Sequence, residues 1–272
     1  MKLKVLVDNN TYIDQYYCGE PAVSYYIEDE DTKLLLDVGY SDLFLKNIEK
    51  FGVNIEDIHT IIISHGHDDH TRGLKYYFEQ NNNNNISIIA HPDAFKEKSI
   101  NDLKICSPIL EENLKEKCKV ILSKGPIKIS RNITFLGEIP QINDFEKRKV
   151  IGKQLTNNAL EDDYVLDDTA IAYKSENGIY IITGCSHSGI CNIIEYAKKV
   201  CNDDRVLGVI GGFHLFDVNE QLIKTIDYMK HNKITELYPC HCTSFSVRAE
   251  MYKSLPIKEV GVGLELKWEY KY

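Results

Sequence analysis

Short apolar or alternating runs, bounded by turn residues, open the chain and predict strands: KLKVLV, VSYYIE, KLLLDVG and TIIIS. The last run is continuous and rich in β-branched residues, which is typical of a strand covered on both faces. Between the last two runs, Leu43, Ile48 and Phe51 recur at helical spacing, after the candidate cap Ser41 and before Gly52. The pattern therefore predicts the order strand, helix, strand in this part of the chain.

The same alternation returns in the second half of the chain. TAIAYKS, GIYIITG, RVLGVIGG and ITELYPC predict strands, and helices are expected at about residues 189–200 and 218–232. Each of the last three strands runs directly into a histidine segment: CSHSG, FHL or HCT. Because ligands of α/β folds gather at the carboxyl ends of strands, these histidines are expected to converge.

The middle of the chain shows no such regular pattern. Lysine- and glutamate-rich helical segments precede an irregular stretch that includes GEIPQINDFEKRK and the acidic EDDYVLDD. We therefore expect residues 1–272 to form one domain, in which residues 93–170 are a helical and irregular, lid-like insertion over a site.

Composition and charge narrow the classes of protein and of partner. The chain has 272 residues with 43% hydrophobic content, enough for a sizeable core, and its formal charge of -9 disfavours nucleic acid and anionic membranes as partners. The first residues lack the apolar core of a signal peptide, and no apolar run approaches the ~20 residues of a membrane helix, so a cytoplasmic location is expected. In that reducing compartment the eight scattered cysteines are expected to be free thiols.

The stretch IIISHGHDDHTRGL concentrates three histidines and two aspartates directly after a predicted strand. His65 and His67 lie two apart in an extended segment, so both imidazoles can face one metal ion. Asp69 and His70 follow where the chain turns into a helix, and they can point to a second ion. Grouping these side chains at the end of an apolar strand costs several kcal/mol unless a cation compensates, so the stretch predicts a metal site.

The order of these residues, HGHDDH from His65 to His70, resembles the H-x-H-x-D-H motif of the metallo-β-lactamase superfamily. LLLDVG, with Asp37 as a near-site residue, resembles the strand that precedes this motif. The resemblance implies an αββα sandwich of the α/β class, in which two mixed β-sheets pack face to face with helices outside. The metals of such proteins lie at one edge between the sheets.

Further blocks resemble one subgroup of that superfamily, named for dihydropterin-ribofuranosyl-aminobenzene phosphate synthase. They are GEIPQINDFE, DDTAI, TGCSHSGICNII, GGFHL and PCHCT, in that order along the chain. The resemblance implies one metal ion on His65, His67 and His187, and a second on Asp69, His70 and His241. Asp69 is also expected to be catalytic, orienting the nucleophile if the reaction is a hydrolysis, and the subgroup suggests a homodimer.

Several positions depart from the superfamily pattern. Where hydrolytic relatives have an aspartate that bridges both metals, this chain has Cys185. Either Cys185 approaches the site, or Asp168 of DDTAI takes over, or no carboxylate bridges. His214 of GGFHL is a candidate ligand, a candidate catalytic acid that faces the substrate, or a buried supporting residue. The expected substrate contacts are Gln141, which stands where arginine is common, and Phe145.

The implied cofactor is a pair of divalent metal ions. Imidazole-rich ligation favours zinc, with manganese, iron or magnesium as alternatives. A phosphate-bearing small molecule is the expected substrate, and in the reaction that the subgroup implies, a dihydropterin diphosphate condenses with a ribofuranosyl-aminobenzene phosphate. The alternatives are hydrolysis of a phosphodiester, lactone or thioester, and a non-catalytic, metal-dependent ligand sensor.

Overall fold

The computed structural model describes residues 1–81 and 85–268, whose strands form three sheets. In chain order the strands are β1 (Lys2–Val7), β2 (Ser24–Asp29), β3 (Thr32–Leu36), β4 (Thr60–Ile62), β5 (Ser87–Ala90), β6 (Lys98–Ile100), β7 (Leu103–Lys104), β8 (Lys119–Leu122), β9 (Ile127–Lys128), β10 (Ile133–Phe135), β11 (Lys153–Thr156), β12 (Ala159–Asp162), β13 (Ala170–Lys174), β14 (Ile179–Thr183), β15 (Val206–Gly212), β16 (Glu236–Cys240) and β17 (Glu265–Lys267). The helices are α1 (Leu43–Lys50), α2 (Asp68–Thr71), α3 (Gly73–Gln80), α4 (Glu111–Lys115), α5 (Ile190–Cys201), α6 (Glu220–His231) and α7 (Phe245–Tyr252), with a 3-10 helix at Ile55–Asp57. Of the helices in these ranges, none is long and apolar enough to cross a bilayer.

The first sheet has the strand order β17-β1-β2-β3-β4-β5-β8. β3, β4, β5 and β8 pair in parallel, whereas β17, β1, β2 and β3 pair antiparallel. β1 coincides with the predicted strand KLKVLV, β4 lies within TIIIS, and α1 is the helix predicted before it. The predicted order strand, helix, strand is therefore confirmed.

The second sheet has the strand order β16-β15-β14-β13-β10-β9. The four strands predicted in the second half of the chain are β13, β14, β15 and β16, and the two predicted helices are α5 and α6. β14, β15 and β16 run parallel. Their carboxyl ends therefore meet at one edge of the sheet, which is where the three histidine segments begin.

The two sheets pack face to face with helices outside. Leu34 and Ile62 of the first sheet share a buried cluster with Ile171 and Ile210 of the second. The neighbouring residues in the first sheet, such as Ile61, point the other way and pack under α1 and α3, while α5, α6 and α7 cover the outer face of the second sheet. Because both faces of β4 are covered, its sequence is continuously apolar. The predicted αββα sandwich is confirmed.

The middle of the chain differs from the predicted helical and irregular insertion. The structure describes all of residues 93–170, and α4 is the one α-helix among them. β8 joins the first sheet, β9 and β10 join the second, and β6, β7, β11 and β12 form a third sheet of four strands. These strands are only two to four residues long, and all of β12 is exposed, so they lack the apolar alternation that marks a strand in a sequence.

Candidate metal centre

Residues 65–70 leave the carboxyl end of β4 and enter α2. His67 is still extended (φ -68°, ψ 153°) and directly precedes the helix, whose first turn contains Asp68 and Asp69. Gly66 permits this course because a Cβ there would lie 2.1 Å from the carbonyl oxygen of Ala94. The change from extended to helical backbone explains how one short segment supplies side chains to two neighbouring clusters.

The first cluster consists of His65, His67 and His187. Nε2 of His65 lies 2.9 Å from Nδ1 of His67. The ring of His187, which follows β14, lies 4.8 Å from the ring of His65 and 4.9 Å from that of His67. The structure therefore brings together the three residues expected around the first metal.

The second cluster consists of Asp69, His70 and His241, the last of which follows β16. Oδ2 of Asp69 lies 3.5 Å from Nε2 of His70 and 3.3 Å from Nε2 of His241. Donor atoms of these three residues and Sγ of Cys185 all lie within 4.8 Å of one another. Sγ of Cys185 also lies within 4.8 Å of donor atoms of His65 and His187, so this thiol belongs to both clusters.

Side chains behind the clusters orient the rings. Oδ2 of Asp37 lies 2.6 Å from Nδ1 of His70, and Asp37 also accepts hydrogen bonds of 2.7 Å from the backbone N–H and the hydroxyl of Ser64. On the other side, Oδ1 of Asn9 lies 3.0 Å from Nδ1 of His241. A partner at Nδ1 leaves Nε2 directed into the cluster. Asp37 therefore acts from behind His70, and Asn9, which the sequence pattern did not single out, does the same for His241.

Burial sets the charge of the histidines. Burial and the neighbouring imidazoles hold the pKa of His65 and His187 well below the usual value, so both rings are neutral. At His70, burial is outweighed by the carboxylates of Asp69 and Asp37, which raise the pKa well above the usual value. The first cluster thus offers neutral imidazoles, the form that binds a cation, and the second combines imidazole with carboxylate.

Several polar atoms in the two clusters are buried without partners. Within the described parts of the chain, Nε2 of His67 and Nε2 of His187 have no hydrogen-bonding partner, and Nε2 of His241 has only the Asp69 carboxylate 3.3 Å away. A buried polar atom left in this state costs roughly 1–3 kcal/mol. Imidazole, carboxylate and thiol donors directed at common points are a donor set for divalent transition metals. The residues present therefore fit metal ions.

Asp168, one of the expected alternatives to Cys185, supports the loop that carries His187. Its Oδ2 accepts hydrogen bonds from the backbone N–H (2.9 Å) and the hydroxyl (2.6 Å) of Ser188. The donor atoms grouped in the two clusters do not include it. Of the three arrangements that the sequence left open, the geometry matches the one in which Cys185 approaches the site.

The adjacent Asp167 fixes the backbone between His65 and His67. It accepts a hydrogen bond of 2.7 Å from the backbone N–H of Gly66, and it lies 2.5 Å from Nζ of the buried Lys98. The paired aspartates of DDTAI were the only available signal for this contact. Nothing in the sequence indicated that Lys98 takes part, because a lysine is expected to be exposed.

A cavity opens beside the first cluster. His187 and His214 line it with ring centroids 4.2 Å apart. Burial, together with the nearby His241, lowers the pKa of His214 to about 4, so its ring is neutral near pH 7. Lys147 and Lys149 also line the cavity, and neither forms a salt bridge with any residue that the structure describes. His214 therefore lies beside the clusters, facing a cavity with two free positive charges at its rim.

The loop that carries these lysines is anchored to α5 by Glu146. The buried carboxylate of Glu146 accepts hydrogen bonds from the backbone N–H groups of Cys191 (3.0 Å) and Asn192 (2.8 Å), at the N-terminus of the helix. A carboxylate in this position satisfies N–H groups that have no partner within the helix. The loop is therefore held next to His187, which lies just before the same helix.

Gln141 and Phe145, the expected substrate contacts, instead maintain the shape of this loop. Nε2 of Gln141 donates hydrogen bonds to the carbonyl oxygens of Asn143 (2.7 Å) and Glu146 (2.8 Å). Phe145 is half-buried against the core between the second sheet and its helices. Neither side chain lines the cavity, whereas Lys147 and Lys149 do. Gln141 and Phe145 therefore lie in the loop beside the cavity without lining it, and their contact with a substrate stays a prediction.

Comparison with known proteins agrees with this geometry. The family described as "Metallo-beta-lactamase superfamily" matches residues 19–198. The chain is 33% identical over 261 residues to the 7,8-dihydropterin-6-methyl-4-(beta-D-ribofuranosyl)-aminobenzene-5'-phosphate synthase of Methanocaldococcus jannaschii, covering 90% of this chain and 88% of the relative. It is also 33% identical over 251 residues to an uncharacterized protein of the same organism, covering 92% and 93% of the two chains. A crystal structure described as a metal-dependent hydrolase of the beta-lactamase superfamily has a TM-score of 0.85 and 24% identity, covering 98% of this chain and 99% of that one.

Proposed function

The chain belongs to the metallo-β-lactamase superfamily of metalloenzymes, and on that premise we propose that it uses two divalent metal ions to act on a phosphate-bearing small molecule. His65, His67 and His187 would hold one ion, and Asp69, His70 and His241 the other. The observation that carries the proposal is the combination of these two donor clusters with a lysine-lined cavity beside them. Zinc is the first candidate for both ions, because imidazole is a good ligand for it.

The name of the 33% identical synthase supports a specific reaction for this chain. In that reaction the C–O bond between the methylene carbon of a dihydropterin and its diphosphate breaks, and the diphosphate leaves with the bonding electrons. The amine nitrogen of a ribofuranosyl-aminobenzene phosphate forms the new C–N bond and loses its proton. Bound metal ions would supply Lewis-acid charge to the diphosphate oxygens.

The chain's own residues have distinct tasks in this proposal. Lys147 and Lys149 bind and orient the anionic part of the substrate, because they are unpaired cations at the rim of the cavity. His214 presents a neutral ring to the same cavity and can exchange a hydrogen bond with the reacting groups. Glu146 positions both lysines by anchoring their loop to α5.

Alanine at Lys149 is expected to raise KM for a phosphate-bearing substrate about tenfold, the effect of losing one charge-assisted hydrogen bond, while kcat changes little. Initial-rate measurements at several salt concentrations would test this, since the wild-type KM should rise with salt more steeply than that of the variant. Lys230→Ala is the matched control, because Lys230 is exposed on α6 and does not line the cavity. Equal KM values for all three proteins would contradict the assigned role.

The reaction itself is tested by giving metal-loaded protein the dihydropterin diphosphate with its aminobenzene acceptor, in parallel with a nitrophenyl phosphodiester, a lactone and a thioester. The expected result is a condensation product formed in equal amount to the released diphosphate. Hydrolysis without condensation would contradict the synthase reaction and assign the hydrolase alternative. Full metal content with no turnover of any substrate would contradict both and leave the ligand sensor.

A further inference from the structure

Cys185 lies where the end of β14 in the second sheet comes close to the first sheet. It follows β14 of the second sheet, directly after Gly184. A Cβ on Gly184 would lie 2.2 Å from Oγ of Ser64, which follows β4 of the first sheet, and 2.9 Å from Oδ2 of Asp37. Only a residue without a side chain fits there, and this close approach carries the next side chain, Cys185, into the space between the two donor clusters.

The sulfur of Cys185 is surrounded by the donor atoms of both clusters. Sγ lies 3.2 Å from Nε2 of His70, and it belongs both to the group with Asp69 and His241 and to the group with His65 and His187. The side chain is 4% exposed. One of the nearby donor atoms, Nε2 of His187, is itself buried without a hydrogen-bonding partner among the described residues.

A buried cysteine is ordinarily a small apolar packing residue. Two other cysteines of this chain fit that description: Cys191 lies on the buried side of α5 in the apolar core, and Cys240 lies in the core between the sheets. Cys185 does not, because its sulfur faces imidazole and carboxylate donors rather than apolar side chains. The nearby Cys242 contacts both the thiol and the carbonyl oxygen (3.5 Å) of Cys185, but it lies outside both donor groups, so exchanging it tests which of the two thiols is the ligand.

From this geometry we infer that Cys185 is a thiolate ligand shared by the two metal ions. The inference rests on the two-metal centre of the proposed function and adds one sulfur to its nitrogen and oxygen donors. On metal binding the thiol would release its proton to solvent, and the thiolate would donate its lone pairs to the metal centre. Because thiolate is a soft ligand, the centre would favour zinc, cobalt or cadmium over magnesium and manganese. The metal preference of this chain would thus be set at the position where hydrolytic relatives have a carboxylate.

Cobalt substitution tests the inference without any substrate, because a thiolate bound to Co²⁺ gives a charge-transfer absorption in the near ultraviolet that nitrogen and oxygen ligands do not. The proteins to compare are the wild type, Cys185→Ser, Cys185→Asp and the matched control Cys242→Ser, each loaded with Co²⁺ and checked for metal content. The band is expected in the wild type and in Cys242→Ser, and it should be absent from both Cys185 variants. Zn²⁺ affinity of Cys185→Ser should fall roughly tenfold or more, and Cys185→Asp should compete better for Mg²⁺ than the wild type.

Two results would overturn the inference. One is a wild-type protein that binds two Co²⁺ ions without the near-ultraviolet band, an outcome that needs no variant to fold. The other is an undiminished band in either Cys185 variant. Both are distinguishable from a failure of the proposed function, in which the band is present but neither condensation nor hydrolysis occurs.

Discussion

Alanine at His67 is expected to lower turnover of the metal-loaded protein by about a thousandfold or more and to reduce the bound metal from two ions to one or none. Nδ1 of His67 lies 2.9 Å from Nε2 of His65, so the two rings face one point. Removing one of the three imidazoles leaves the first cluster short of the donors that hold a catalytic metal. Loss of such a metal removes several kcal/mol of transition-state stabilisation, which corresponds to the expected loss of rate.

Metal analysis by mass spectrometry and turnover of the best substrate found for the wild type would measure this effect. His59→Ala is the matched control, since His59 is an exposed histidine just before β4 in the same part of the chain. It should retain full metal and full activity. If His67→Ala did the same, the assignment of the metal centre would be wrong.

Methionine at Lys98 is expected to lower the free energy of unfolding by about 3–5 kcal/mol, because it leaves buried carboxylates without their cation. The Lys98 side chain is fully buried, with Nζ 2.5 Å from Oδ1 of Asp167 and 3.2 Å from Oδ2 of Asp163. Asp167 also accepts the backbone N–H of Gly66, between the two histidines of the first cluster. Metal affinity is therefore expected to fall together with stability.

Urea unfolding of the metal-free proteins would measure the stability change. In the triple variant Lys98→Met, Asp163→Asn, Asp167→Asn, part of the loss should be recovered, because no uncompensated charge remains. Burial raises the pKa of Asp167, but Lys98 outweighs it and holds that pKa below the usual value. A carboxylate whose pKa is lowered by folding stabilises the folded protein at pH values above its unfolded pKa of about 3.9. This stabilisation is lost as the pH falls through the lower, folded pKa. The difference in unfolding free energy between wild type and Lys98→Met should therefore shrink in acid. A wild-type unfolding midpoint for Lys98→Met at neutral pH would refute the buried ion cluster.

The elements with strong local patterns could be predicted from the sequence. β1, β4, β14 and β15 are short apolar runs bounded by turns, and their position in the sheets matches the pattern because one or both faces are buried. The strands of residues 93–170 could not be predicted in the same way. They are only two to four residues long, too short to show a period, and the neighbouring strands in the sheets, rather than apolar periodicity, define them.

The sequence by itself predicted the fold class and a metal site at His65, His67, Asp69 and His70, and the resemblance to the superfamily added His187 and His241, which the structure places beside them. A histidine pair two apart on an extended segment, followed by an aspartate and a histidine at a helix start, has its geometry imposed by local backbone conformation. Only the tertiary structure decided what stands between and behind those clusters. Asn9 behind His241 and Lys98 behind Asp167 come from distant parts of the chain, and packing across two sheets places Cys185, one of three alternatives in the sequence, between the clusters. The structure likewise shows that Lys147 and Lys149, rather than Gln141 and Phe145, line the cavity, because the hydrogen bonds of a folded loop determine which side chains face inward.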